Sequence, residues 1–192
     1  YAGLKDPEDD LDDAGNVTDE GVSKQQVSYI NGYLDDADSA LFGGNFTSDS
    51  SGWKKYIDID SAVDYYLAME FMKPIDGNMW ASVYMYKQRD TSAGAGDGKL
   101  FFGPLWDFDL SSGMANRAGN VVSPSGFYLR NNLDTGAQQS SKTWFNRLNE
   151  DASFREAVKD RWNEIRDELL PQSFLDAQED IIAQSASQTY SS

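Results

Sequence analysis

Lys99-Leu100-Phe101-Phe102-Gly103-Pro104-Leu105-Trp106-Asp107-Phe108-Asp109-Leu110 is the stretch on which the reading of this chain turns. Lys99–Gly103 is strand-like, and the run ends on two carboxylates spaced two residues apart. In extended backbone that spacing sends Asp107 and Asp109 to one face and Phe108 to the other. Upstream, residues 81–87 alternate, with Val83 and Met85 on one side and Tyr84 and Tyr86 on the other. Thr91 to Gly98 is a flexible connection that closes on an Asp-Gly turn signal. The pattern therefore predicts an antiparallel hairpin that delivers the D-x-D to its end.

Two carboxylates held close together repel, and a divalent cation relieves the repulsion. Oxygen ligands of this kind suit magnesium, manganese or calcium rather than zinc. A D-x-D is common in an acidic chain, and Asp58-Ile59-Asp60 is another. On spacing alone, a metal site and a pair of solvated turn carboxylates both remain open. Asp76 sits in Pro74-Ile75-Asp76-Gly77-Asn78. It reads either as ordinary turn chemistry or as a general base facing Asp107 across the hairpin.

Farther out the periodicity becomes helical. Val27, Ile30, Leu34, Ala37 and Leu41 predict a helix from Ser23 that stops at Gly43-Gly44. A second helix starts near Asp60 or Ser61, carries Val63, Tyr66, Leu67 and Phe71 as its stripe, and closes at Pro74. Glu70 lies beside that stripe and is expected to accept hydrogen bonds from backbone or tyrosine hydroxyls. Residues 111–141 read as loop. Phe154, Val158, Trp162, Ile165 and Leu169 form a further helical stripe, and Pro171 separates it from a last helix through Leu175 and Ile182. The fold class is α+β in one domain over residues 1–192. Its parts are an acidic loop at 5–21, the hairpin and site at 76–117, and a helical part at 142–186. The acidic loop, from Asp6 to Asp13 above all, reads as solvated rather than as a calcium loop, because it lacks the residue order of an EF-hand.

Composition narrows the chemistry. The chain has 16 basic and 32 acidic residues, a net charge of -16, which argues against nucleic acid as a partner. A nucleotide would need a divalent cation beside these carboxylates. Cysteine and histidine are both absent, so disulfides, thiolate or imidazole metal sites, and Ser-His-Asp catalysis fall away within the chain. No apolar run approaches the roughly 20 residues of a membrane helix. The start at Tyr1, without Met, is expected for a piece of a longer protein or a processed product.

An ordered series of segments makes the reading specific. Tyr56-Ile57-Asp58-Ile59-Asp60, Tyr65-Tyr66-Leu67-Ala68-Met69-Glu70, Asp76-Gly77, Tyr84-Met85-Tyr86-Lys87 and Lys99 to Leu110 together resemble the CotH family. Lys5-Asp6-Pro7-Glu8, Tyr29-Ile30, Ala40-Leu41 and Phe154–Leu170 extend the likeness over nearly the whole chain. The resemblance implies an atypical protein-kinase-like fold, here mostly the helical large lobe. The small lobe and its ATP-gripping basic residue would precede Tyr1.

It also implies ATP with magnesium or manganese, and a spore-coat or surface protein as acceptor. By position, Asp107 matches the metal-holding carboxylate, Asp76 the catalytic one, and Asp109 follows in family order. Ser82 stands where some members place an Asn, a departure at the second-metal position, and completes the cofactor-binding set with Asp107 and Asp109. The family also implies a secreted or cell-surface bacterial protein. A scaffold that keeps the fold without catalysis is the alternative, with sugar binding through Trp53, Trp80 and Trp144 as a variant. Trp162 and Trp106 read as core.

Overall fold

The computed structural model describes residues 24–79, 81–91, 96–114, 123, 125–130, 143–169 and 171–190. The acidic loop at 5–21, Trp80 and most of the 111–141 stretch lie outside the described residues. The chain is α+β and mostly helical. Helix α1 (Lys24–Phe42) and a short 3-10 turn (Trp53–Lys55) precede α2 (Ile59–Met72). Strands β1 (Met85–Lys87) and β2 (Leu100–Phe102) follow, then α3 (Trp144–Leu148), α4 (Ala152–Leu169) and α5 (Gln172–Tyr190).

The hairpin forms as its alternation requires. β1 and β2 pair antiparallel with Met85 opposite Phe102, Tyr86 opposite Phe101 and Lys87 opposite Leu100. Val83, Met85 and Phe102 turn to the core, while Tyr86 stacks on Phe101 on the outer side at 5.1 Å. The start of α2 is tied to β2, since Leu100 N–H donates to Tyr56 O at 2.8 Å and Asp58 N–H to Leu100 O at 2.9 Å. That tie moves the helix start: Asp58, not Asp60 or Ser61, is the N-cap, and its carboxylate accepts from Ser61 N–H at 2.9 Å.

The core is an aromatic block built on α2. Ala62, Val63, Tyr65, Tyr66 and Met69 are buried. Tyr65 stacks on Phe145 at 5.4 Å, Phe102 leans on the same ring at 5.1 Å, and Phe154 takes Tyr66 and Trp53 edge-on. Rings of this size dominate burial, and their offset or edge contacts add to it. Three sequence readings change here. Phe71 is 64% exposed instead of completing the α2 stripe, because the buried face rotates toward Tyr65 and Met69. Trp106 is 58% exposed instead of packed, since it lies beyond the end of β2. Trp53 is fully buried, with its indole N–H on Asp151 at 2.9 Å, and cannot serve as an exposed sugar platform.

α1 docks through Tyr33, Ala37 and Leu41, its buried residues, with Ile30 and Leu34 half-buried. Thr143 caps α3 in a reciprocal box with Asn146. Pro171 divides α4 from α5 as expected. Phe174, Ile181 and Ile182 on α5 are exposed.

Candidate functional site

Beyond Phe102 the chain leaves the sheet, and the predicted extended path does not continue to the D-x-D. Asp107 takes φ of 66°, and Asp109 opens a turn. The two-residue alternation that would align their carboxylates therefore does not apply. Both side chains are exposed. Ser82, itself at φ of 55°, donates its hydroxyl to Asp107 Oδ2 at 2.8 Å.

These two residues belong to a wider pattern. Among the described residues, every non-glycine residue with positive φ lies in 73–82 or 107–112: Lys73, Met79, Ser82, Asp107 and Ser112. Such a conformation costs an L-residue roughly 1–2 kcal/mol, and only surrounding contacts can hold it. Those contacts run between the two segments. Ile75 N–H donates to Leu110 O at 3.1 Å, and Ser112 N–H to Met72 O at 2.7 Å. The segment after α2 and the segment after β2 thus lie side by side, joined by backbone and by the Ser82–Asp107 bond.

Asp76 sits in that first segment, half-buried, and its backbone is pinned on both sides. Tyr128 donates its hydroxyl to Ile75 O at 3.1 Å, and Tyr65 donates to Gly77 O at 3.2 Å. Burial pushes both phenols well above their ordinary range, so they remain protonated donors. Gly77 is required by close approach: a Cβ there would stand 2.7 Å from Met69 Sδ and 2.8 Å from Pro74 Cγ. The structure brings Ser82 and Asp107 into direct contact and puts the Asp76 turn alongside the Asp107–Leu110 segment.

The opposite end of the hairpin is an anchor. Asp90 accepts from Tyr29 Oη and Lys87 Nζ, each at 2.6 Å, and from the backbone N–H groups of Gly96 and Gly98. The bond from Lys87, followed by those from Tyr29 and Gly96, holds its carboxyl far below the usual carboxylate range. Lys87 also lies over the Tyr33 ring at 4.5 Å.

A second concave feature escaped the sequence reading. Glu70 accepts from the backbone N–H of Tyr128 and of Arg130, the backbone role expected of it. Three residues on, buried Lys73 donates to the carbonyls of Ser123, Ser125 and Gly126, each at 2.9 Å. One acid and one base at the end of α2 thereby grip the 123–130 segment by its backbone. Between that segment, α2 and α4 opens a cavity of about 940 Å3. Asp76, Ser82, Asp107 and Asp109 do not line it; Ser112 and Gly113, just after the D-x-D, do. Arg155, Lys159 and Trp162 line it from α4 at i, i+4 and i+7, and that helical spacing was the available signal.

Among the described residues no group of three or more His, Cys, Asp or Glu side chains could hold a metal ion. Magnesium is commonly held by one or two carboxylates together with substrate phosphates, and Asp107 and Asp109 are exposed carboxylates of that chemical type.

The family model described as "CotH kinase protein" matches residues 2–191. No curated protein and no solved structure matches the chain. On a match of that extent, the chain belongs to the CotH kinase protein family.

Proposed function

We propose that the chain is the large-lobe part of a metal-dependent, ATP-using protein kinase whose acceptor is a surface or spore-coat protein. The observation that carries this reading is the strained Ser82–Asp107 pair, set against the pinned Asp76 turn within a chain of this family. Local strain of this kind persists where neighbours over-determine it, and it concentrates at functional sites.

In this reading Asp107 and Asp109 would hold magnesium or manganese, and the ion would supply charge neutralisation for the phosphates. Ser82 occupies one oxygen of Asp107 and orients the carboxylate, leaving the other oxygen for the ion. Asp76 accepts the acceptor hydroxyl proton as the phosphoryl group leaves ATP for that oxygen. Phosphoryl transfer relies mainly on positioning and charge stabilisation, so no histidine is needed. The protein works in a secreted or cell-surface bacterial setting. The proposal is tested by phosphate transfer from labelled ATP to a mixture of surface proteins, using a chain extended upstream of Tyr1. Transfer is expected from the wild type, with turnover lowered and nucleotide binding kept in Asp76→Asn, and with both lost in Asp107→Asn. Transfer undiminished in both variants would reject the assignment, and absence of transfer in the extended wild type would favour a scaffold that has kept only the fold.

A further inference from the structure

The charges around the cavity run against those of the chain. Acidic residues outnumber basic ones 32 to 16 overall, yet Lys73, Arg130, Arg155 and Lys159 line the cavity against Glu70 alone. Glu70 and Lys73 are committed to backbone groups of the 123–130 segment. The cations left to face an occupant are Arg130, Arg155 and Lys159. Among the described residues, ion pairs form on Lys54, Lys87, Arg147 and Arg161, and none on these three. Arg130 lies over the Phe127 ring at 5.3 Å, and Arg155 donates to Asn149 O at 2.6 Å, so two of them have set positions.

The apolar part of the lining is as unusual. Phe71 is 64% exposed and Phe127 50% exposed, and both line the cavity beside Trp162. Large aromatic surface left open to water marks a recognition site when it is concave and ringed by polar groups. Aromatic and arginine side chains are also the residues that concentrate binding energy at protein interfaces.

We propose that this cavity is a docking site for an acidic peptide segment of a partner protein, seated by one aromatic or branched aliphatic side chain. The apolar anchor packs between Phe71, Phe127 and Trp162, and the flanking carboxylates meet Arg130, Arg155 and Lys159. Concavity favours a peptide over a flat anionic membrane surface. The nucleotide-handling carboxylates assigned above lie outside the cavity, which favours a peptide over ATP. Docking here does not depend on phosphoryl transfer, because no residue of the cavity takes part in it.

Fluorescence anisotropy with a short fluorescein-labelled peptide, rich in aspartate around a central phenylalanine, tests the assignment. Saturable binding to the wild-type chain is expected, weakening as salt is raised. The Arg130→Glu/Lys159→Glu double variant should bind about tenfold more weakly or worse. Phe127→Ala removes an exposed ring, so it should keep the melting temperature while weakening binding. Asp107→Asn should bind the peptide as the wild type does, which separates this proposal from the kinase reading. No saturable binding to the wild type would overturn it, as would equal binding of a peptide with lysine in place of aspartate. Displacement of the peptide by MgATP, undiminished in Asp107→Asn, would reassign the cavity to a nucleotide and overturn it as well.

Discussion

The aromatic core and the edge that carries Asp107 are separated by only the few residues between Phe102 and Asp107, yet they obey opposite rules. Around Phe145 every ring has a partner, and backbone conformation follows local preference. At Ser82 and Asp107 the backbone is left-handed, the aspartate is exposed, and one hydroxyl–carboxylate bond joins the two. The core therefore supplies stability, and the edge consumes some of it to hold a geometry. Substitutions in the two regions should then differ in sign as well as in size.

The largest effect is expected at the core. Phe145→Ala should remove about 3–5 kcal/mol of stability, read from denaturant melts, because the ring touches Tyr65, Tyr66 and Phe102. A loss well below that range would show that α3 contributes little to the core. Next comes Asp151, which receives the Trp53 indole N–H and both the backbone N–H and hydroxyl of Ser153. Asp151→Ala should cost about 1–3 kcal/mol by leaving a buried donor unmet.

The pH dependence at this residue has a definite direction. Burial raises the Asp151 pKa, but the bonds from Trp53 and Ser153 outweigh it and leave the carboxyl below its ordinary value. A depressed folded-state pKa contributes stability that is fully present above the unfolded value of about 3.9 and is lost as pH falls through the folded one. Melting temperatures of wild type and Asp151→Asn should accordingly converge in acid. Parallel curves would place the acid sensitivity elsewhere.

The smallest effect is also the most telling, because its sign reverses. Asp107→Gly should leave stability unchanged or raise it by up to about 1 kcal/mol, since glycine takes positive φ without the steric penalty. A clear loss of stability there would mean that the Ser82–Asp107 bond outweighs the strain it holds. At the hairpin's other end, Asp90→Ala should speed proteolysis near the hairpin connection, because it releases the N–H groups of Gly96 and Gly98 together with Lys87 and Tyr29. Unchanged cleavage would show that strand pairing alone holds that end.

Much of the frame was legible because it rests on period. Leu34, Ala37 and Leu41 announce α1, and Val83 with Met85 announces the inward face of β1 and of the residues leading into it. The geometry of the D-x-D was not legible. Asp tolerates a left-handed backbone better than most residues but does not demand one, Ser carries no mark of it, and the contacts between positions 82 and 107 come from across the sequence. Lys73 was illegible for a related reason. A lysine is ordinarily exposed, and the three carbonyls that bury this one lie about 50 residues downstream. Phe71 misled for the converse reason, since helical spacing says which residues share a stripe but not which stripe a neighbour covers.

The most direct measurement of the site is a thermal melt of wild type and Asp107→Asn with magnesium or manganese, with and without ATP. At ~100 times its dissociation constant, a ligand of the native state adds about 2.7 kcal/mol, a readable shift in melting temperature. A metal-dependent ATP shift in the wild type that disappears in Asp107→Asn is expected. An equal shift in both proteins would contradict the assignment of Asp107 as the residue that holds the metal–nucleotide complex.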